Sequence, residues 1–259
     1  MDRISKEALF SMLDRKAELI YLDVTDSTNN YARSIALEGA LEGTAVIAER
    51  QTQGRGRMGR SFLSESEGGL YFSIILRPRI SPERSIYITV IGALAVAEAI
   101  ESVCHRECKI KWVNDIYIGD KKVSGILTEG SIDFSRNMLD HAIIGIGVNI
   151  EDPQGGFPQE IKDIAGSVCG SCAPRNIKGR LLAEIYNNFF RYYSNIEDGS
   201  YMEKYRRRSN MIGKIVDVYR GDEIISGVCI DIDEDANLVI DANGKAIKFN
   251  SGDARVKRS

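Results

Sequence analysis

The chain lacks an excess of either charge. Its 259 residues hold 34 Lys+Arg against 37 Asp+Glu, a net charge of -3. A protein built as a whole to grip nucleic acid is basic, so that class is disfavoured and any cationic cluster must be local. The first residues, Met1 to Glu7, carry charge where a secretory leader needs an apolar centre. The most apolar stretch, Ile86 to Ala97, ends at Glu98 and reads as too short to cross a bilayer. A cytoplasmic protein without a membrane association is expected. Cysteine is sparse and odd in number: Cys104, Cys108, Cys169, Cys172 and Cys229. Cys169-Gly170-Ser171-Cys172 has redox or zinc spacing, and Cys104 and Cys108 could share a helical face, but an odd count without a leader favours free thiols. About twenty residues precede the first strand, too few for a helix-turn-helix domain. Neither an internal repeat nor a low-complexity tract is visible.

What the chain does have is Arg50 to Arg60, R-Q-T-Q-G-R-G-R-M-G-R, with Arg50, Arg55, Arg57 and Arg60 interleaved with Gly54, Gly56 and Gly59. Glycine admits backbone conformations closed to other residues, and arginine offers a planar fork of donors for carboxylate and phosphate. The pattern describes a loop able to close over an anion; a solvated surface loop, or one gripping nucleic acid nonspecifically, is the plainer alternative. It is not a Walker A loop, because no G-K-[ST] follows. Nor is it a dinucleotide fingerprint, because Ser61-Phe62-Leu63-Ser64 leads to another loop and a strand rather than into a helix.

Periodicity sets the rest of the chain. Helices are expected over Ser5–Lys16, Asn30–Leu37, Ile86–Val103, Asn176–Ile196 and Tyr201–Arg208. Strands are expected over Leu19–Val24, Thr44–Glu49, Gly69–Leu76, three pieces within Lys109–Glu129 with a tight turn at Gly119-Asp120, and His141–Ile150. In the last of these, Gly145 and Gly147 mark a place where something approaches the backbone. Ser27 and Thr28 are read first as N-caps, and equally as hydroxyls aimed above a helix start. From Ile212 the composition changes to four short strands, Lys214–Tyr219, Glu223–Ile232, Asn237–Asp241 and Ala246–Asn250, the signature of a small β-barrel. A boundary near Ser209–Ile212 divides residues 1–210 from residues 211–259.

Three separated segments combine: Asp26-Ser27-Thr28-Asn29, then Glu49 to Arg60, then Lys111-Trp112-x-Asn114-Asp115 followed by Lys122-x-x-Gly125-Ile126-Leu127-x-Glu129. With the Gly145-x-Gly147-x-Asn149 strand end, the Ala165 to Val168 turn and the C-terminal strands, the chain resembles the biotin–protein ligases over nearly its whole length. Met58 stands where many members carry a basic residue, Val113 where others have proline, and Phe62 where many have tryptophan. The resemblance implies an α+β fold, a class II aminoacyl-tRNA-synthetase-like mixed sheet with flanking helices plus a small C-terminal SH3-like barrel. It also implies the short class of ligase without the DNA-binding domain, and therefore no DNA binding.

The implied chemistry is ATP-dependent activation of biotin as biotinyl-5′-adenylate, then transfer to a lysine of a biotin carboxyl carrier protein. The resemblance gives Lys122 and Arg57 as catalytic residues. Biotin is assigned to Ser27, Thr28, Asn29, Gln51, Gly54, Arg55, Gly56, Arg57, Lys122 and Gly125. ATP or adenylate is assigned to Arg57, Arg60, Phe62, Lys111, Asn114, Lys122 and Asn149, with Phe62 stacking at the adenine end. Asp115 is the candidate contact for Mg²⁺. Plainer readings stand beside these: an exposed hairpin lysine for Lys122 and a turn-capping residue for Asp115. A homodimer is expected. The rival functions are a lipoate–protein ligase or octanoyl transferase of the same fold, and a nonenzymatic nucleic-acid binder.

Overall fold

A computed structural model describes residues 6–221 and 223–257. In chain order the elements are α1 (Lys6–Met12), β1 (Leu19–Thr25), α2 (Thr28–Leu37), β2 (Ala45–Gln51), β3 (Gly69–Leu76), α3 (Ile86–Cys104), β4 (Lys109–Lys111), β5 (Asp115–Ile118), β6 (Lys121–Asp133), β7 (Met138–Asn149), α4 (Ile177–Tyr193), α5 (Tyr201–Arg207), β8 (Ile215–Arg220), β9 (Glu223–Ile232), β10 (Leu238–Ala242), β11 (Lys245–Phe249) and β12 (Asp253–Val256). Short 3₁₀ turns cover Arg57–Gly59 and Pro82–Ser85.

Seven strands form one mixed sheet in the order β1-β2-β3-β7-β6-β5-β4. Only β1 and β2 run parallel; the other neighbours are antiparallel. Side-chain alternation assigns its faces. On β3 and β7, Leu70, Phe72, Ile74, Ala142, Ile144, Ile146 and Val148 enter the large core with α3 and α4. Ile75 and Ile143 face the other way and pack with Ala32 and Ala36 of α2. Each such Leu, Ile, Val or Phe side chain taken from water contributes about 1.5–3 kcal/mol. The apolar stretch expected over residues 86–97 is part of a longer helical segment, Pro82–Cys104, with length and composition sufficient to cross a bilayer. Twelve residues of α3 are buried within the fold, which accounts for its apolarity.

The second sheet is antiparallel, in the order β11-β10-β9-β8-β12. It has five strands where four were expected; β12 was not anticipated. Its inner side chains, among them Val216, Val218, Leu238, Ile240 and Ala254, join the same core cluster as Ile110 and Trp112. The Trp112 indole donates to the Ala236 carbonyl at 2.8 Å, and Asn210 N to the Ile110 carbonyl at 3.0 Å.

Two ends differ from expectation for tertiary reasons. The helix expected to run to Lys16 stops at Met12, where Asn187 of α4 donates to the Met12 carbonyl at 2.8 Å and accepts from Asp14 N at 3.0 Å. Ser5, its expected start, lies outside the described residues, as does most of the charged segment Met1 to Glu7. Ser27 sits at the N-cap of α2 without making a side-chain cap bond. The Thr28 amide and hydroxyl donate instead to Gln51 Oε1, at 2.8 and 3.0 Å.

Candidate active site

A cleft opens on the α2 side of the large sheet. Its floor is the middle of β6 and β7, where Gly125 pairs with Gly147 and Leu127 with Gly145. The glycines are needed for space. A Cβ at Gly145 would lie 2.0 Å from Asn29 Oδ1, and one at Gly147 2.6 Å from the Phe62 ring. What approaches the backbone at these two positions is thus the chain's own Asn29 and Phe62.

The start of α2 builds a neutral polar end. Ser27, Thr28, Asn29, Gln51 and Ser73 are all buried. Ser73 Oγ lies 2.7 Å from Thr28 Oγ1 and 2.6 Å from Asn29 Oδ1. Asn29 Nδ2 donates to Glu129 Oε2 at 2.8 Å. These groups leave amide and hydroxyl functions at the cleft wall without any net charge.

The arginine loop covers the cleft as a tight turn closed on itself. Gly56 N donates to Arg60 O at 2.7 Å, Phe62 N to Gly54 O at 2.9 Å, and Arg55 bridges Ser61. Met58 at its tip has φ 56° and is exposed. Three loop arginines reach three different places. Arg55 contacts Asn30 at 2.6 Å and Glu129 at 2.5 Å; Arg57 donates to Asn114 Oδ1 at 3.2 Å; Arg60 pairs with Asp253 at 2.6 Å.

The opposite end is cationic. Lys122 Nζ lies 2.6 Å from Asp115 Oδ1, and Lys111 Nζ 3.6 Å from Asp253 Oδ1. Burial lowers the Lys111 pKa, with Asp115 and Asp253 opposing the shift. Burial likewise lowers that of Arg57, which Asp115, Tyr205 and Asp253 resist; an arginine stays charged regardless. The Lys122 backbone is held on both sides, its N–H by the Ile164 carbonyl at 2.7 Å and its carbonyl by Gly166 N at 2.9 Å. Asn114 is fixed by donating to the Ile126 carbonyl at 2.8 Å, and the Trp112–Val113 peptide before it is cis.

The structure brings together in this one cleft Ser27, Thr28, Asn29, Gln51, Arg55, Gly56, Arg57, Arg60, Phe62, Lys111, Asn114, Asp115, Lys122 and Gly125. Two sequence candidates stand apart from its lining. Gly54 packs against the segment that follows the loop, where a Cβ would fall 2.1 Å from Ser64 Oγ and 2.4 Å from the Phe62 carbonyl. Asn149 donates to the Gly166 carbonyl at 2.9 Å and so steadies the turn that brackets Lys122. The Phe62 ring lies on the glycine floor, edge-on to Tyr71 at 6.4 Å. Sequence reasoning missed Asp253 of β12, Ser73, and Glu129 as a partner of the loop. The composition of β3 could have flagged Ser73, a polar residue in an otherwise apolar run. Asp253 had no signal of its own. The five cysteines are free, and among the described residues no three or more His, Cys, Asp or Glu are grouped to hold a metal.

Residues 21–149 match the model of the biotin/lipoate A/B protein ligase family. A bifunctional ligase/repressor BirA of Bacillus spizizenii is 44% identical over 150 residues, 58% of this chain and 46% of that protein. The Bacillus subtilis protein of that name is 39% identical over 68% of this chain and 53% of its own length, so the chain spans about half the length of these relatives. A biotin–[acetyl-CoA-carboxylase] ligase of Mycobacterium tuberculosis is 30% identical over 88% of this chain and 85% of that protein. Among solved structures, the biotin protein ligase of Aquifex aeolicus in complex with biotin and ATP superposes with a TM-score of 0.76 at 30% identity. That match covers 93% of this chain and 99% of the other.

Proposed function

The chain belongs to the biotin–protein ligases, within the biotin/lipoate A/B protein ligase family, and from that premise we propose that it activates biotin with ATP as biotinyl-5′-adenylate and transfers the biotinyl group to a lysine of a biotin carboxyl carrier protein. The observation that carries this reading is the polarity of the cleft. A neutral donor–acceptor end at Ser27, Thr28, Asn29 and Gln51, with Ser73 buried behind Thr28 and Asn29, runs into a cationic end at Arg57, Arg60, Lys111 and Lys122. A ureido ring offers donors and an acceptor without charge, which suits the first end. A carboxylate beside a triphosphate suits the second.

In the first half-reaction a carboxylate oxygen of biotin attacks the α-phosphorus, the bond to the β-phosphate oxygen breaks, and pyrophosphate leaves. Two anions must meet, and Lys122 with Arg57 offsets their repulsion and the charge that builds on the phosphoryl oxygens. Arg60 and Lys111 hold the remaining phosphates. In the second half-reaction a lysine amine attacks the anhydride carbonyl, AMP leaves and the amine loses a proton. The arginine loop keeps water from the anhydride in between.

Mg²⁺ is expected to arrive on the triphosphate. No cluster of ligands for it exists among the described residues, and Asp115 supplies one carboxylate already paired with Lys122. That fits an ion held largely by phosphate and water, which would supply charge neutralisation there. We further propose a cytoplasmic, homodimeric enzyme.

The test is incubation of the purified protein with biotin, ATP and Mg²⁺. Biotin-dependent pyrophosphate release and a bound species of biotinyl-adenylate mass are expected. Adenylation of lipoate but not of biotin would replace this reading with the lipoate–protein ligase reading.

A further inference from the structure

Glu129 lies on β6 next to the cleft but outside its lining, and its two oxygens serve two different parts of the site. Oε1 accepts from Arg55 Nη2 of the loop at 2.5 Å and forms an ion pair with Arg33 Nη2 of α2 at 2.6 Å. Oε2 accepts from Asn29 Nδ2 at 2.8 Å. Asn29 is in turn buried over Gly145 and bonded to Ser73. The other two arginines that reach across the cleft end elsewhere, on Asn114 and Asp253. Glu129 is therefore where the covering loop and the neutral polar end meet on one group.

We propose that Glu129 is a positioning residue that couples the two ends of the ligand site. It holds Arg55, and with it the closed loop, in register with the Asn29 orientation that receives the neutral ring. This rests on the adenylate-forming reading above. The physical argument is acceptor capacity. An ionised carboxylate only accepts, and both its oxygens here face donors. An amide of the same shape has one accepting end. Turned toward the arginines, it sets its NH₂ against the NH₂ of Asn29; turned the other way, it sets NH₂ against two guanidinium groups. Glu129→Gln thus forces a choice between loop and floor, and also removes the negative charge between Arg33 and Arg55.

The experiment measures, for wild type and Glu129→Gln, the biotin KM in pyrophosphate release, the kcat at saturating biotin and ATP, the lifetime of bound biotinyl-adenylate without acceptor, and the melting temperature. Glu129→Gln is expected to shorten the adenylate lifetime and raise the biotin KM, each by roughly tenfold, the scale of one charge-assisted hydrogen bond. The kcat should stay within about threefold, since the residue touches no reacting atom. In Arg55→Ala the lifetime shortens too, and adding Glu129→Gln to Arg55→Ala shortens it no further, because both act through one contact. Unchanged KM and lifetime in Glu129→Gln overturn the coupling, as does a lower melting temperature with both unchanged, or lifetime effects that multiply in the double variant. If wild type itself releases no pyrophosphate in response to biotin, the function reading falls and this proposal with it. If wild type does and Glu129→Gln matches it, only the coupling falls.

Discussion

Lys122 occupies the second position of a strand that follows a tight hairpin, where a lysine is ordinarily a solvated side chain. Here its backbone is bonded on both sides to the turn at Ile164–Gly166, and its amine faces Asp115 at 2.6 Å. Lys122→Ala is expected to cut biotin-dependent pyrophosphate release by ~100-fold or more, the scale of losing one preorganised electrostatic donor, with the melting temperature nearly unchanged. Arg57 lies over the same end of the cleft, so Arg57→Ala should raise the ATP KM and release activated biotin into solution, read as biotinylation of bystander proteins; an adenylate held as long as in wild type would remove the clamp role. The arginine–glycine loop or Lys122 alone left plainer readings open; the residues that meet in the cleft were legible because three separated segments together resembled one family's pattern. Their partners were not. Nothing in the sequence ties Arg57 to Asn114 or Arg55 to Glu129, because each pair joins segments dozens of residues apart.

Among the elements, β3 and β7 were readable because short apolar runs rich in β-branched or aromatic residues and bounded by turn signals read as strands. Their glycines were read as marking a close approach, but the sequence could not name the visitor. Gly145→Ala is expected to push Asn29 aside, since the new Cβ would come within 2.0 Å of its Oδ1. The expected result is a raised biotin KM and a stability loss of about 1–3 kcal/mol, as for other overpacked sites, measured by chemical denaturation. The end of α1 was illegible because Asn187, 175 residues later, terminates it. Strand β12 was missed for another reason. Four residues following Gly252 carry too little pattern to register as a strand, and this short element delivers Asp253 to the cleft.

At the scale of the whole molecule, the two sheets share a core and also a charge contact across the cleft. Asp253 accepts from Arg60 of the loop and Arg255 of its own strand, and lies near Lys111. Burial alone would raise its pKa, but these cations outweigh burial and hold it below its ordinary 3.8. A carboxyl depressed in the folded state contributes stability that is fully present above its unfolded pKa and lost as pH falls through the lower folded one. The melting temperature of wild type should therefore exceed that of Asp253→Asn at neutral pH, and the gap should close below about pH 3.8, where the folded group takes up its proton. A gap unchanged down to pH 3 would mean the contact adds nothing. The two-sheet organisation was legible from the shift in composition at Ile212, whereas the reach of the smaller sheet into the cleft was not. Because Asp253 both lines the cleft and pairs with Arg60, filling the cleft is expected to protect the smaller sheet. Nucleotide at a hundred times its Kd favours the ligated form by about 2.7 kcal/mol, so deuterium uptake at the amides of β8 and β12 should slow upon saturation.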